Sequence, residues 1–249
     1  MQVSHATDAA PGRPNEDLVV TGPDWAVVLD GATPSPGVAS GCGHSVRWFT
    51  RRLGAALCTR LLADDDDPLP DLLAAAIGEV RTAHGDGCDL ENPDSPSSTV
   101  AITRMRAGRL EYLVLCDSPV ALRRNTGDIT VIADDRLARL PGGPPYTVER
   151  VRACRNAAGG FWVASTKPAA ASHAVCGSVP LDEVADAVLC SDGVTRLIEW
   201  YGYSWPEVFA RLAEDGPATL IRRLRERERA QPRPGAKQHD DASVIYLRM

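Results

Sequence analysis

The hydrophobic patterning of this chain predicts an α+β protein, with strands grouped by hairpins and helices gathered in blocks of their own. Three observations predict it. Short, β-prone apolar runs recur at 25–29, 110–115, 187–190 and 243–247. Apolar residues at spacings of three and four fill 40–62 and 71–84, and helical patterns return through much of 194–230. Finally, 249 residues with 44% hydrophobic content suffice for one sizeable core, so residues 13–249 are expected to form a single domain that needs no disulfide staple.

Taken in order, residues 1–12 are small and polar with Pro and Gly, and are expected to form a flexible arm tied down only at its end. Trp25-Ala26-Val27-Val28-Leu29 reads as a buried strand that stops at Asp30-Gly31. Between 40 and 62, Val46, Phe49, Leu53, Leu57 and Leu61 share one helical face that would pack on a sheet. The run Asp64-Asp65-Asp66-Asp67, followed by Pro68, ends that helix. It reads as a solvated loop, because four consecutive carboxylates cannot all face one ion. A second helix over 71–84 turns Leu72, Leu73, Ala76, Ile77 and Val80 inward, and a loop rich in Gly, Asp and Pro follows over 85–96. Strands then pass through Thr99, Tyr112, Val120, Ile129 and Phe161, with Asn125-Thr126-Gly127-Asp128 as a hairpin turn. The stretch 137–160, with Pro141-Gly142-Gly143-Pro144-Pro145 and several Arg, reads as a surface excursion. Helices return at 194–200, 205–214 and 218–230, the last striped with Arg and Glu as a solvated face. Residues 231–237 are a Pro-bearing exposed link into the final strand, 243–247.

Acidic residues stand where apolar runs begin or end: Asn15-Glu16-Asp17, Asp30-Gly31, Asp192-Gly193 and Asp240-Asp241. One Asp-Gly after a strand is ordinarily a turn. Several carboxylates brought together by neighbouring strands cannot all stay ionised and unpaired, and a hard divalent cation is the usual remedy. A Gly after the Asp allows a sharp turn and leaves its carbonyl accessible as one more oxygen ligand. The chemistry implied is that of a metal-dependent hydrolase.

Composition excludes other classes. A formal charge of −6 lacks the basic footprint that nucleic acid demands. No stretch approaches the roughly 20 apolar residues needed to span a bilayer, and no charged-then-apolar leader opens the chain, so a cytoplasmic protein with no membrane partner is expected. The seven cysteines form no C-x-x-C pair and are read as reduced, mostly buried small hydrophobes. A nucleophilic-thiol reading needs an Arg at a fixed offset. Its nearest candidate, Cys42-Gly43-His44-Ser45-Val46-Arg47, has four intervening residues rather than five.

From Arg13 to Arg248 the chain resembles the type 2C metal-dependent Ser/Thr protein phosphatases in their compact bacterial form. Six motifs occur in that family's order: Arg13-Pro14-Asn15-Glu16-Asp17; Val27-Val28-Leu29-Asp30-Gly31; Ser97-Ser98-Thr99-Val100-Ala101; Cys116-Asp117-Ser118-Pro119; Ser191-Asp192-Gly193-Val194-Thr195; and Asp240-Asp241-Ala242-Ser243-Val244. The resemblance implies a four-layer αββα sandwich of two antiparallel sheets, and hydrolysis of phosphoserine and phosphothreonine in proteins by a metal-activated water. It implies two Mn²⁺ or Mg²⁺ ions, with Asp30 bridging, the Gly31 carbonyl on one, and Asp192 and Asp240 on the other. Glu16 and Asp17 would hold metal-bound waters, Asp117 would support a weaker third ion, and Arg13 would grip the phosphate. It also makes 137–160 a variable flap over the site.

The chain departs from the family where Ala32 and Thr33 follow Asp30-Gly31, where Cys116 replaces a Gly, and where Pro119 replaces an Arg. No His follows Asp30-Gly31, so a metal-bound water is the expected proton donor, with His44, His173 and His239 as alternatives. The altered surroundings leave a small phosphorylated metabolite as an alternative substrate, and a non-catalytic binding or regulatory module as an alternative class.

Overall fold

Among the described residues of a computed structural model, ten strands pair into two five-stranded sheets in which every ladder is antiparallel. The structure describes residues 1–34, 37–63, 66–143, 145–234 and 237–249. Asp64 and Asp65 of the acidic run, Pro144, and residues 235 and 236 of the link to the last strand lie outside the described residues.

The strands are β1 (Gln2–Asp8), β2 (Leu18–Thr21), β3 (Trp25–Ala32), β4 (Ser97–Arg106), β5 (Arg109–Leu115), β6 (Val120–Arg124), β7 (Ile129–Ile132), β8 (Val175–Pro180), β9 (Val184–Cys190) and β10 (Ala242–Arg248). One sheet runs β1-β10-β9-β6-β7 and the other β2-β3-β4-β5-β8. The helices are α1 (Val46–Leu62), α2 (Leu69–Ala83), α3 (Val148–Cys154), α4 (Asp192–Glu199), α5 (Trp205–Asp215) and α6 (Pro217–Ala230).

Three apolar clusters account for the layers. Phe49, Leu53 and Leu57 of α1 and Leu73 and Ile77 of α2 pack on Val27, Leu29, Val100 and Leu113 of the second sheet. Val194 and Leu197 of α4, Phe209 of α5 and Leu224 of α6 cover Val188, Val244 and Tyr246 of the first. Alternate residues of the same strands, among them Ala26, Val28, Val114, Leu189 and Ile245, meet between the sheets. This period-two division makes an αββα sandwich, since the central strands β3, β4, β5, β9 and β10 then have two apolar faces. Each large side chain so buried contributes about 1.5–3 kcal/mol.

Local chemistry sets the helix bounds. Ser45 caps α1 by accepting the Trp48 N–H at 3.1 Å, so that helix begins at Val46 rather than near residue 40. Ser204 and Glu207 form a reciprocal capping box on α5. The turn at 125–128 joins β6 to β7 as expected, with Gly127 at φ 93° and the Arg124 N–H on the Asp128 carbonyl at 2.8 Å.

Several expectations need correction. The supposed flexible arm is β1, an edge strand paired with β10 through seven residues from Gln2↔Arg248 to Asp8↔Ala242. Thr7 also bonds Ser243 by their hydroxyls at 2.7 Å, and Asp8 pairs with Arg225 at 3.0 Å. Its alternating side chains are too polar to read as a strand, because only one face meets protein. Phe161 makes an isolated bridge to Arg155 rather than a strand, and β2, β8 and α3 were not anticipated. The Arg/Glu face of α6 is not wholly solvated: Glu228 is buried and receives Arg225 at 2.9 Å and His239 at 2.7 Å. All seven cysteines are free, but only Cys116 and Cys190 are buried. Among the described residues no helix is long and apolar enough to cross a membrane.

Candidate active site

Antiparallel pairing decides where the acidic residues meet. Asp17 immediately precedes β2, Asp30 lies near the end of β3, and Asp117 follows β5, which places all three at one end of the second sheet. Asp192 follows β9, and Asp240 and Asp241 precede β10, which places them at one end of the first. Residues 116–119 carry the chain from β5 in one sheet to β6 in the other, so Asp117 stands at the crossing between them.

The acidic segments are tied by hydrogen bonds that leave most of their carboxylates facing one another. Asn15 Oδ1 accepts the Asp17 N–H at 3.0 Å, and its amide donates to Thr7 Oγ at 2.7 Å, which shapes the turn before β2. Asp241 accepts the N–H groups of Ala10 and Glu16, both at 2.7 Å. It is therefore the clamp on the 10–16 segment and its charge reaches Asp17, while its neighbour Asp240 is the one whose charge reaches Asp30 and Asp192. Ser191 accepts the Ser243 N–H on its hydroxyl at 2.9 Å and donates its own N–H to the Ser243 carbonyl at 3.0 Å. The first amide of α4, that of Asp192, points at Asp30 Oδ2 from 3.3 Å. A helix N-terminus thus supports the central carboxylate.

Two close approaches require glycine. A Cβ on Gly31 would stand 2.7 Å from the Glu16 carbonyl oxygen, and one on Gly193 would stand 2.0 Å from that of Asp241. The motif Asp-Gly therefore serves packing between the acidic segments in both places, whatever the Gly31 carbonyl does.

Electrostatics record the crowding. Burial, then the charges of Asp17, Asp192, Asp117 and Asp240, holds Asp30 well above the ordinary carboxylate range. Burial, reinforced by the Asp241 charge and only partly countered by the Ser243 and Ser191 hydroxyls, raises Asp17 to about 7, and neither of its buried oxygens has a partner at full hydrogen-bond distance. Burial together with Asp117 and Asp240 raises Asp192 to about 7, and burial raises Asp117. A carboxylate set that lacks positive partners at Asp17 and Asp30 fits divalent cations.

Other predicted site residues are placed less centrally. Glu16 accepts the Thr33 hydroxyl. Asp240 is held by Arg196 at 2.6 Å and by Lys237. Arg13 is exposed on the turn where its N–H meets the Ala10 carbonyl at 3.2 Å. Cys116 adopts φ 67°, the conformation its family's glycine would take, and its N–H donates to Asp134 at 2.9 Å. His239 is bound to Glu228, and His173 stacks on Trp162 with ring centroids 3.5 Å apart. Burial and the adjacent Cys88 push the Cys42 thiol up to about 11, the opposite of what a nucleophilic thiolate needs.

Beside Asp117 and Asp192 opens a cleft of about 370 Å³, walled by Val131, Leu137, Tyr146 and Trp200. Thr195, Arg196 and Glu199 also line it. Sequence reasoning missed these last three, although their spacing of three, four and seven from Asp192 places them on the same side of α4.

Solved structures share this architecture. The Mycobacterium tuberculosis serine/threonine phosphatase PstP/Ppp superposes with a TM-score of 0.64 at 20% identity, covering 100% of this chain and 98% of that one. A PstP catalytic domain in complex with two manganese ions gives 0.60 at 20% identity, over 98% and 96% of the chains. Stp1 of Staphylococcus aureus gives 0.61 at 15%, over 100% and 94%. They define the fold class as that of the bacterial serine/threonine phosphatases. No curated protein sequence matches. The sequence model of the Protein phosphatase 2C family matches residues 6–226, and the chain belongs to that family.

Proposed function

We propose that this chain is a metal-dependent phosphatase that hydrolyses phosphoserine and phosphothreonine in proteins. The observation that carries the reading is the gathering of Asp17, Asp30, Asp117, Asp192 and Asp240 at one end of both sheets, with Asp17 buried and without a cationic partner. An all-oxygen donor set suits Mn²⁺ or Mg²⁺ better than softer ions. When bound, such cations neutralise the phosphoryl oxygens and make water a competent nucleophile near neutral pH. Asp30 with the Gly31 carbonyl, Asp192 and Asp240 are the proposed direct ligands. Glu16 and Asp17 are the proposed holders of ordered water, and Asp117 the proposed ligand of a weaker third ion.

The protein's own residues do the positioning. The α4 amide orients Asp30, Arg196 orients Asp240, and Asp241 secures the segment that carries Glu16 and Asp17. Arg13 is the proposed bidentate grip on the substrate phosphate, which its guanidinium geometry favours. With His239 engaged by Glu228, a water in the cleft is the proposed donor to the leaving oxygen. The apolar and aromatic walls beside Asp117 and Asp192 support a peptide flanking the phosphorylated side chain, with Leu137 and Tyr146 of the 137–160 stretch as selecting contacts. A cytoplasmic setting belongs to the same reading, supported by seven unpaired cysteines. The second reading, a small phosphorylated metabolite, is favoured by the size of the cleft, which lies within the usual range for small ligands.

Hydrolysis of a phosphothreonine peptide, an aryl phosphate and a panel of sugar and nucleotide phosphates with Mn²⁺ tests these. Activity on the peptide that vanishes with chelator and falls at least about a hundredfold in Asp192→Asn is the expected result. Turnover of metabolites without the peptide would establish the second reading. Hydrolysis that survives exhaustive chelation would overturn both, and metal binding without any hydrolysis would indicate a binding module.

A further inference from the structure

Four soft-ligand side chains meet away from the carboxylates, at the open end of the α1–α2 pair. Cys42 and His44 lie just before α1, His84 caps the end of α2, and Cys88 follows in the next loop. Cys42 Sγ is 3.1 Å from Cys88 Sγ, 3.5 Å from His44 Nδ1 and 3.3 Å from His84 Nδ1, and Cys88 Sγ is 3.4 Å from His44 Nδ1. One ligand atom from each of the four residues lies within 4.8 Å of all the others.

We propose that Cys42, His44, His84 and Cys88 form a structural zinc site. Tetrahedral coordination with Zn–S near 2.3 Å and Zn–N near 2.0 Å requires ligand-to-ligand edges of roughly 3.3–3.8 Å. The three sulfur–nitrogen edges given above fall in that range, and the sulfur pair needs only a small separation. Two thiolates and two imidazoles select zinc over the hard ions suited to the carboxylates.

The surroundings are those of a supported site. The His44 ring stacks on Trp48 with centroids 3.9 Å apart, and Trp48 also packs edgewise with the His84 ring at a centroid separation of 4.8 Å, so one indole contacts both imidazoles. His84 is 4% exposed and Cys42 Sγ is its ring's hydrogen-bond partner among the described residues, with Nε2 buried and unsatisfied. A buried imidazole whose one partner is a thiol is a poor arrangement without an ion. The loops are already laid together, with the Asp89 N–H on the Gly41 carbonyl at 2.7 Å and the Asn92 amide on the Ala39 carbonyl at 3.2 Å. Binding displaces the two thiol protons: one Zn²⁺ and two thiols give a zinc dithiolate and two released protons. The ion would pin the start of α1 to the end of α2. Val46, the first residue of α1, packs against Gly31 at the floor of the carboxylate cluster, so the staple would also brace that floor.

Elemental analysis of the full-length protein after dialysis against excess Mg²⁺, which fills oxygen-ligand sites and does not compete for thiolates, tests this independently of hydrolysis. One zinc per chain is expected in the wild type and in Asp192→Asn, and none in Cys42→Ser/Cys88→Ser. Replacement of zinc by Co²⁺ in the wild type should give thiolate-to-cobalt charge-transfer absorption, a readout that holds even if the double variant fails to fold. Absence of zinc together with absence of that absorption would overturn the proposal. So would five rather than seven titratable thiols in the denatured, metal-free wild type, which would mean a Cys42–Cys88 disulfide instead.

Discussion

At the scale of single residues, Asp17 and Asp192 are both held near 7 by burial, Asp17 also by the charge of Asp241 and Asp192 by those of Asp117 and Asp240. A carboxyl whose folded pKa lies above its unfolded value binds its proton more tightly in the native state. Stability is then fully present below the unfolded range, near 4, and is lost as pH rises toward 7. Without divalent cations the melting temperature should therefore fall between about pH 4 and pH 7, by an amount corresponding to a few kcal/mol. The fall should shrink in Asp17→Asn and should disappear when Mn²⁺ is present, because the ion then favours the ionised form. A melting temperature in chelator that is flat over this window would show that the carboxylates are not crowded in solution. Asp240 differs from the others, since Arg196 and Lys237 already balance its charge. Cys116 shows the cost of a departure from the family pattern: a φ of 67° in a residue with a Cβ costs roughly 1–2 kcal/mol. The burial of its side chain beside Leu140, Phe161 and Val163 offsets part of that.

At the scale of elements, the site depends on α4 lying hard against the start of β10. Gly193 permits the contact, because a Cβ there would stand 2.0 Å from the Asp241 carbonyl oxygen and 3.3 Å from the Ala242 Cα. Backbone atoms cannot swing aside as a flexible side chain can. Gly193→Ala should therefore cost about 3 kcal/mol in urea unfolding and carry a loss of activity, since both Asp192 and Asp241 must shift. Gly78→Ala is the matched control. It lies within α2, where the nearest atom to a new Cβ is Pro168 Cγ at 3.8 Å, and it should be neutral or stabilising by up to about 1 kcal/mol. Equal effects of the two substitutions would mean that helix propensity, not the α4–β10 contact, sets the outcome. The helices other than α3 were legible: Phe49, Leu53, Leu57 and Leu61 mark the buried face of α1 without knowledge of its partner, whereas α3 buries no residue. The short strands β2 and β8 were not, because four to six half-buried residues carry too little alternation to stand out.

At the scale of the whole molecule, β1 closes one edge of the first sheet and brings the N-terminal segment to the carboxylates. Seven register pairs with β10, the Asp8–Arg225 ion pair and the two amides held by Asp241 make this segment integral. Deleting residues 2–8 should lower the melting temperature by about 5 °C or more and expose the β10 edge to self-association, measurable by calorimetry and light scattering. A truncated protein as stable and monodisperse as the full chain would restore the view of 1–12 as a dispensable arm.

The sequence by itself determined the fold class, the two helical blocks, the acidic residues at the strand ends and the family. These follow from periodicity and from motifs whose members are near neighbours along the chain, such as Ser191-Asp192-Gly193. Only the tertiary structure decided which acidic residues face one another, that Asp241 clamps the 10–16 segment whereas Asp240 acts on Asp30 and Asp192, and that Glu199 borders Asp117. It alone brought Cys42 and His44 to His84 and Cys88 across some forty residues. The physical reason is common to all of these: a carboxylate, thiol or imidazole takes its role from the charges and dipoles around it in space. Those neighbours are set by antiparallel pairing and helix packing rather than by adjacency in the chain.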